Sequence, residues 1–165
     1  MRSSLMYHPL NKVTVDAYLA PAKAYEVNLA LEHLKHTQAK DLLLFDRNYS
    51  SYIFLASLVK LSFEAEVFAP QKLLPRKQFT GRCSKSLFKA AQQLFKQYVI
   101  YSKTATLTAN GDVKKQCKAL GLPETITVRF VKKKLSTGET EVLITSLLDG
   151  EKYTTQMFQR QKFSR

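Results

Sequence analysis

Four consecutive apolar residues, Leu42–Phe45, end abruptly on a carboxylate, Asp46. A run that short and uniform predicts a strand buried on both faces. Arg47, the turn-prone Asn48 and Ser50 follow, and Ser50 is placed to cap Tyr52–Leu61, a segment apolar almost all round and long enough for a helix. Upstream, Val13, Val15 and Ala17 alternate with Thr14, Asp16 and Tyr18, which predicts a half-buried strand closed by Pro21. Between the two, Val27, Ala30, Leu31 and Leu34 fall at i, i+3, i+4 and i+7 and mark one face of a helix over Tyr25–His36. Ala65–Ala69 reads as a further strand, closed by Pro70. Strand and helix in alternation imply right-handed crossovers and parallel pairing around a central Leu42–Phe45 strand. Asp46 then stands at the mouth of an α/β sheet, beyond the carboxyl ends of the strands, where such folds bind ligands. The structural alternative is that Asp46 caps the next helix or pairs with Arg47.

After Pro70 the pattern changes. Gln71–Arg82 is basic and turn-like, punctuated by Pro75 and Gly81. Leu87, Phe88, Ala91, Leu94 and Phe95 mark an amphipathic helix with Ser84 as its cap, and Val99–Ala109 is rich in β-formers. Asn110-Gly111 is a hairpin-turn signal, and Val113–Leu120 reads as a short helix stopped by Gly121 and Pro123. Thr125–Leu135 and Glu139–Leu147 form the clearest hairpin, folded at Ser136-Thr137-Gly138.

Composition narrows the function classes. The 165 residues include 45% hydrophobic and 24% charged residues, which describes a globular chain. Lysine plus arginine number 26 against 13 acids, a net charge of +13. That excess favours a polyanionic partner, nucleic acid first and an anionic membrane surface second. No apolar run approaches the roughly 18 residues a membrane span needs, and no signal peptide opens the chain, so a cytoplasmic protein is expected. Cys83 and Cys117 lack a CxxC spacing and read as free thiols in a reducing compartment. His8, His33 and His36 form no ligand pattern, and His33 and His36 are expected to face solvent. Lys132, Lys133 and Lys134, with Arg129, are candidates for phosphate contact, the alternative being a solvated strand edge.

Four blocks in order carry a family resemblance. Leu42–Tyr49, LLLFDRNY, resembles the LLLFDRGY signature around the second catalytic aspartate of DDE transposases of the insertion-sequence-four family. Ser4–Pro21 (SLMYHPLNKVTVDAYLAP) and Glu26–Leu34 (EVNLALEHL) are similar to the strand and helix preceding that aspartate. Thr127–Asp149 (TVRFVKKKLSTGETEVLITSLLD) resembles the segment that leads to the catalytic glutamate. The resemblance implies an α/β, partial RNase H-like fold, a mixed sheet with flanking helices interrupted by a mostly β insertion. It places the catalytic core at 1–70, the insertion at 71–147, and the start of a final helix with an atypical tail at 148–165. It implies DNA transposition by metal-dependent strand cleavage and transfer, with Asp46 as a catalytic acid holding Mg²⁺ or Mn²⁺. The partner is then double-stranded DNA at transposon ends, contacted by Arg47, Arg129, Lys132, Lys133 and Lys134. A homodimer in the intact family and a bacterial, nucleoid-associated location are further implications.

Departures limit that expectation. The family's glutamate lies in a YxxRxxxE run, which the stretch from Phe158 to Arg165 does not resemble, and its first aspartate precedes the Ser4–Pro21 block. Asn48 replaces the motif's glycine, a mild change, since Asn tolerates a left-handed backbone. Asp46 alone of three metal-holding acids is present, and one carboxylate makes a weak Mg²⁺ site. A truncated, inactive copy that keeps its DNA affinity is therefore expected. The alternative is a non-catalytic, basic DNA-binding remnant, inert or interfering with an intact transposase. A basic RNA-binding or ribosome-associated module is a third reading, without an RNP, KH or zinc-knuckle signature.

Overall fold

The computed structural model describes residues 1–38, 41–67, 78–96 and 101–160. Strands β1 (Arg2–His8) and β2 (Val13–Ala20) form a two-stranded antiparallel hairpin. Helix α1 (Glu26–His33) continues as a 3-10 turn over Leu34–His36 and leads to β3 (Leu42–Phe45). Helix α2 (Tyr52–Val67), β4 (Gln78–Arg82), α3 (Lys85–Lys96), β5 (Ser102–Thr108) and α4 (Gly111–Ala119) follow. The described elements close with β6 (Thr125–Lys134), β7 (Thr140–Thr145) and α5 (Thr155–Arg160). The fold is mixed α/β: a five-stranded sheet of order β3-β4-β7-β6-β5, parallel between β3 and β4 and antiparallel elsewhere, with flanking helices. Among the described residues no helix is long and apolar enough to cross a membrane.

One face of the sheet carries the main core. Phe45, Phe79, Ile126, Val128, Phe130, Val142 and Ile144 pack there against Phe54, Leu55 and Leu58 of α2 and Ala91 and Phe95 of α3. Residues one step along the same strands, Val131 and Leu143, point to the other face. They meet Leu147, Tyr153 and Phe158, so α5 covers the middle of that face.

Most expected elements are present, and the differences have physical reasons. Leu42–Phe45 is a strand, but it is an edge strand rather than the central one, bonded to β4. With no described element over its outer face, Leu42 and Leu44 are 39% and 44% exposed, and Phe45 is the buried member. The strand over Val13–Ala20 is inverted: Asp16 and Tyr18 face α1, and Val13, Val15 and Leu19 are exposed. Helix α2 runs on through Val67, so Ala65–Val67 is helical, and the rest of the strand expected to end at Ala69 lies outside the described residues. Ser51, not Ser50, caps that helix, its Oγ accepting the Phe54 N–H at 3.3 Å. The turn-like stretch expected over Gln71–Arg82 ends in β4; its residues 71–77 lie outside the described ones, as do 99–100 of the next expected strand and 161–165 of the tail. Asn110-Gly111 opens α4 rather than a hairpin, with Gly111 at φ 52°. The β6–β7 hairpin is as expected, turned at Gly138 with φ 86°. Strands β3 and β4 pair across the boundary expected at 70/71.

Candidate functional site

Parallel pairing decides what surrounds Asp46. Phe45 pairs with Gly81, so β3 and β4 end side by side, and the next residues, Asp46 and Arg82, leave the same end of the sheet. Asp46 remains extended at ψ 171°, then a 3-10 turn over Arg47–Tyr49 closes with the Tyr49 N–H donating to the Asp46 carbonyl at 3.1 Å. Arg82 donates from Nη1 to Asp46 Oδ1 at 3.2 Å and from Nε to Glu141 Oε1. Glu141 in turn lies opposite Lys133 in the β6–β7 register. Lys133, Glu141, Arg82 and Asp46 thus form an alternating-charge ladder across four neighbouring strands. Three of its side chains are largely covered; Asp46, 55% exposed, is the end that meets solvent. Burial draws the Lys133 ammonium below its ordinary pKa, with Glu141 opposing the shift.

The ladder opens into a cavity of about 810 Å³, lined by Asp46, Arg47, Asn48, Arg82, Lys85, Glu139 and Glu141 among others. Cys83 lies in its wall, and burial, with Glu141 adding to it, pushes its thiol up to about 12. Both cysteines are free and buried. Arg47 lines the same cavity and is exposed; among the described residues the ion partner of Asp46 is Arg82.

The other expected contact residues divide. The Arg129 guanidinium is 3% exposed and donates to the carbonyls of Leu147, Asp149 and Tyr153 and to Ser102 Oγ. It ties the segment before α5 to the sheet, and it is not presented to a partner. Lys133 is 7% exposed within the ladder, so alternation along β6 removes it too from the outer surface. Lys132 stacks its ammonium 4.6 Å from the Phe95 ring centre, half-buried, and Lys134 is exposed. Sequence reasoning missed Arg82 and Glu141. Glu141 was accessible from the hairpin: closing the turn at Gly138 pairs Leu135 with Glu139 and so sets Lys133 against Glu141. Arg82 carries no such local signal, because its role depends on the long-range pairing of β3 with β4.

The described residues around Asp46 do not make a two-metal site. Among the described residues no group of three or more His, Cys, Asp or Glu side chains could hold an ion. Asp46 and Glu141 share one guanidinium, and Mg²⁺ asks for about six oxygen ligands.

A second polar cluster sits beneath the hairpin. His33 bonds through Nδ1 to Asp16 Oδ2 at 2.9 Å and through Nε2 to Ser4 Oγ at 3.0 Å, and His36 Nε2 lies 3.3 Å from the same carboxylate. His33 is therefore buried, contrary to the expectation that it faces solvent, while His36 is exposed. The bond from His33 holds the Asp16 carboxyl below its ordinary range. Ser4 is 3% exposed, so no substrate reaches its hydroxyl, and the cluster pins β1 and β2 to α1. Beside it Tyr49 donates to Glu26 Oε1 at 2.7 Å; burial, with that bond, pushes its phenol up to about 12.

No protein-family model, curated protein or solved structure matches the chain.

Proposed function

We propose that the chain is a DNA-binding module of the DDE-transposase type, built on part of an RNase H-like fold, with Asp46 as one of the acids that hold metal in a complete catalytic centre. The observation that carries this reading is the position of Asp46. It follows the LLLF strand directly, at the end of a parallel strand pair, and opens into a cavity beside Arg47 and Lys85. That is where an α/β sheet receives a ligand. The net charge of +13 supports a polyanion as that ligand.

Binding and chemistry separate on this reading. Arg47, Lys85 and Lys134 are exposed cations that can contact phosphates without a catalytic triad. Asp46 is paired with Arg82, which also holds Glu141, so these carboxylates supply no two-metal clamp. The chain by itself therefore binds duplex DNA and does not cut it.

A titration of random-sequence duplex with the full chain tests the binding half. Counterion release makes log K fall by about 0.9 per contacted phosphate against log salt. Measurable affinity near 50 mM salt with a steep negative slope is expected. Absence of binding there, or binding indifferent to salt, refutes the reading.

A further inference from the structure

Arg82 is held unevenly. Its Nε donates to Glu141 Oε1, a carboxylate 10% exposed that lies opposite Lys133 in the β6–β7 register. Its Nη1 donates to Asp46 Oδ1 at 3.2 Å, and Asp46 is 55% exposed. The inner bond is charge-assisted and shielded from water, so it fixes the guanidinium to the sheet. The outer bond is long and wet, and exposed ion pairs of that kind contribute little. The strands set this difference: Glu141 projects from β7, which pairs with β4, whereas Asp46 stands past the end of β3. The charges around the cavity point the same way. Arg47, Arg82 and Lys85 line it together with Asp46, Glu139 and Glu141, so cations and acids balance there in a chain whose net charge is +13. A polyanion therefore gains little at this mouth unless one of those acids gives way.

We propose that Arg82 is a phosphate-binding residue masked by Asp46, an autoinhibitory contact that DNA must displace. A backbone phosphate takes the place of the Asp46 carboxylate on the Nη1 side of the guanidinium, while Glu141 keeps Nε. This masking rests on the DNA-binding reading and adds to it both a contact residue and its restraint. The exchange is like for like. One anionic oxygen leaves and another arrives, and the rigid fork of donors on a guanidinium suits a phosphate better than the point charge of a lysine does. Glu141 keeps the exchange local: it holds the side chain in place, so little rotamer freedom is lost when the phosphate binds. Asp46 opposes DNA twice, by occupying Arg82 and by repelling the phosphate through space. Those two effects separate in a double-mutant cycle, because only the first needs Arg82.

Random-sequence duplex is titrated with the full chain, with Asp46→Asn, with Arg82→Gln and with the double variant, from about 50 to 300 mM NaCl. Asp46→Asn should bind about fivefold or more tightly than wild type near 100 mM salt, and its plot of log K against log salt should steepen by about 0.9, the increment for one further phosphate. Arg82→Gln should bind less tightly than wild type, and adding Asp46→Asn to it should gain less than about twofold. Glu151→Gln, which removes an exposed acid outside the cavity lining, should also gain less than about twofold. If Arg82→Gln loses its cooperative urea transition, Arg82→Gln with Glu141→Gln, which leaves no carboxylate stranded in the sheet, takes its place. No gain in Asp46→Asn, or an equal gain with and without Arg82, overturns the proposal, and the DNA-binding reading still stands if wild type binds. Binding by Asp46→Asn where wild type shows none refutes that reading for the chain as it stands and supports the mask. Binding by neither overturns both.

Discussion

Gly81 is the position at which the packing of the Asp46 region can be tested most sharply. A methyl group built there falls well inside van der Waals contact of Cε2, Cδ2 and Cζ of Phe45. The Phe45 ring lies directly over the β4 backbone, and the missing side chain is what lets an edge strand bury it. The ring has little room to retreat, because Phe54 meets it edge-on at 5.3 Å and Phe79 lies 6.0 Å away on β4 itself. Overpacking of this kind costs about 1–3 kcal/mol, and with the ring hemmed in Gly81→Ala should fall at the upper end. Phe45→Ala alone should cost about 3–5 kcal/mol through lost burial and the cavity left behind. In the Phe45→Ala background the clash is gone, and alanine in a strand is better than glycine by about 0.5–1 kcal/mol. The two changes should thus couple by about 3–4 kcal/mol, against near-additivity for independent sites. Urea melts of the four proteins, read by near-ultraviolet circular dichroism, measure the cycle. Additivity within about 0.5 kcal/mol means that the Phe45 ring does not rest on Gly81, and the account of the edge strand fails.

Three further outcomes follow from particular contacts. Leu44→Ala should cost less than about 1 kcal/mol, because its side chain is already 44% exposed, whereas a central strand would lose several times that in the same urea melt. Arg129→Lys should cost about 2–4 kcal/mol by leaving buried carbonyls without donors, while duplex affinity at fixed salt stays within about twofold, since the guanidinium is not presented to DNA. Cys83, held up to about 12 when folded against about 8.5 unfolded, contributes stability that is complete below the lower value and is lost as pH rises through the higher one. The urea midpoint should therefore fall above about pH 8.5, less steeply in Cys83→Ala, and iodoacetamide should label Cys83 at pH 8 only after unfolding.

What the sequence shows of this fold depends on how far apart the deciding residues lie. Local signals are reliable. The i, i+3, i+4, i+7 face of α1, the Ser84 cap of α3, the Gly121 stop after α4 and the turn at Gly138 each depend on a few neighbouring residues, and each is where the pattern puts it. Strand position is not local. The run LLLF fits a strand with both faces covered, and Leu42 and Leu44 are exposed because no described element lies over their face of the sheet. The alternation at Val13–Ala20 identifies a strand, but it shows neither the register shift opposite Met6 and Tyr7 nor which face is covered. Here a histidine seventeen residues away takes the polar one. At the site, Asp46 stood out because it ends an apolar run, and Arg47 because it is next to it. Arg82 and Glu141, which hold that carboxylate in its ladder, belong to strands 36 residues and more along the chain. The lysine run at 132–134 was legible as a charged strand, and its division among the stacked Lys132, the buried Lys133 and the exposed Lys134 required the sheet.

On the proposed function, Asp46 is a metal-holding acid of a DDE-type centre. The most direct measurement is strand transfer by a chimaera in which the flanking segments of an active insertion-sequence-four transposase, bearing the other two acids, are joined to residues 1–160 of this chain. Supercoiled target and transposon-end duplex are incubated with Mg²⁺ or Mn²⁺, and joined products are counted on a gel. On this assignment metal-dependent products are expected from the chimaera, none from the chain as it stands, and none from the chimaera carrying Asp46→Asn, which keeps the shape of the side chain and removes its charge. Joined products that persist in the Asp46→Asn chimaera contradict it.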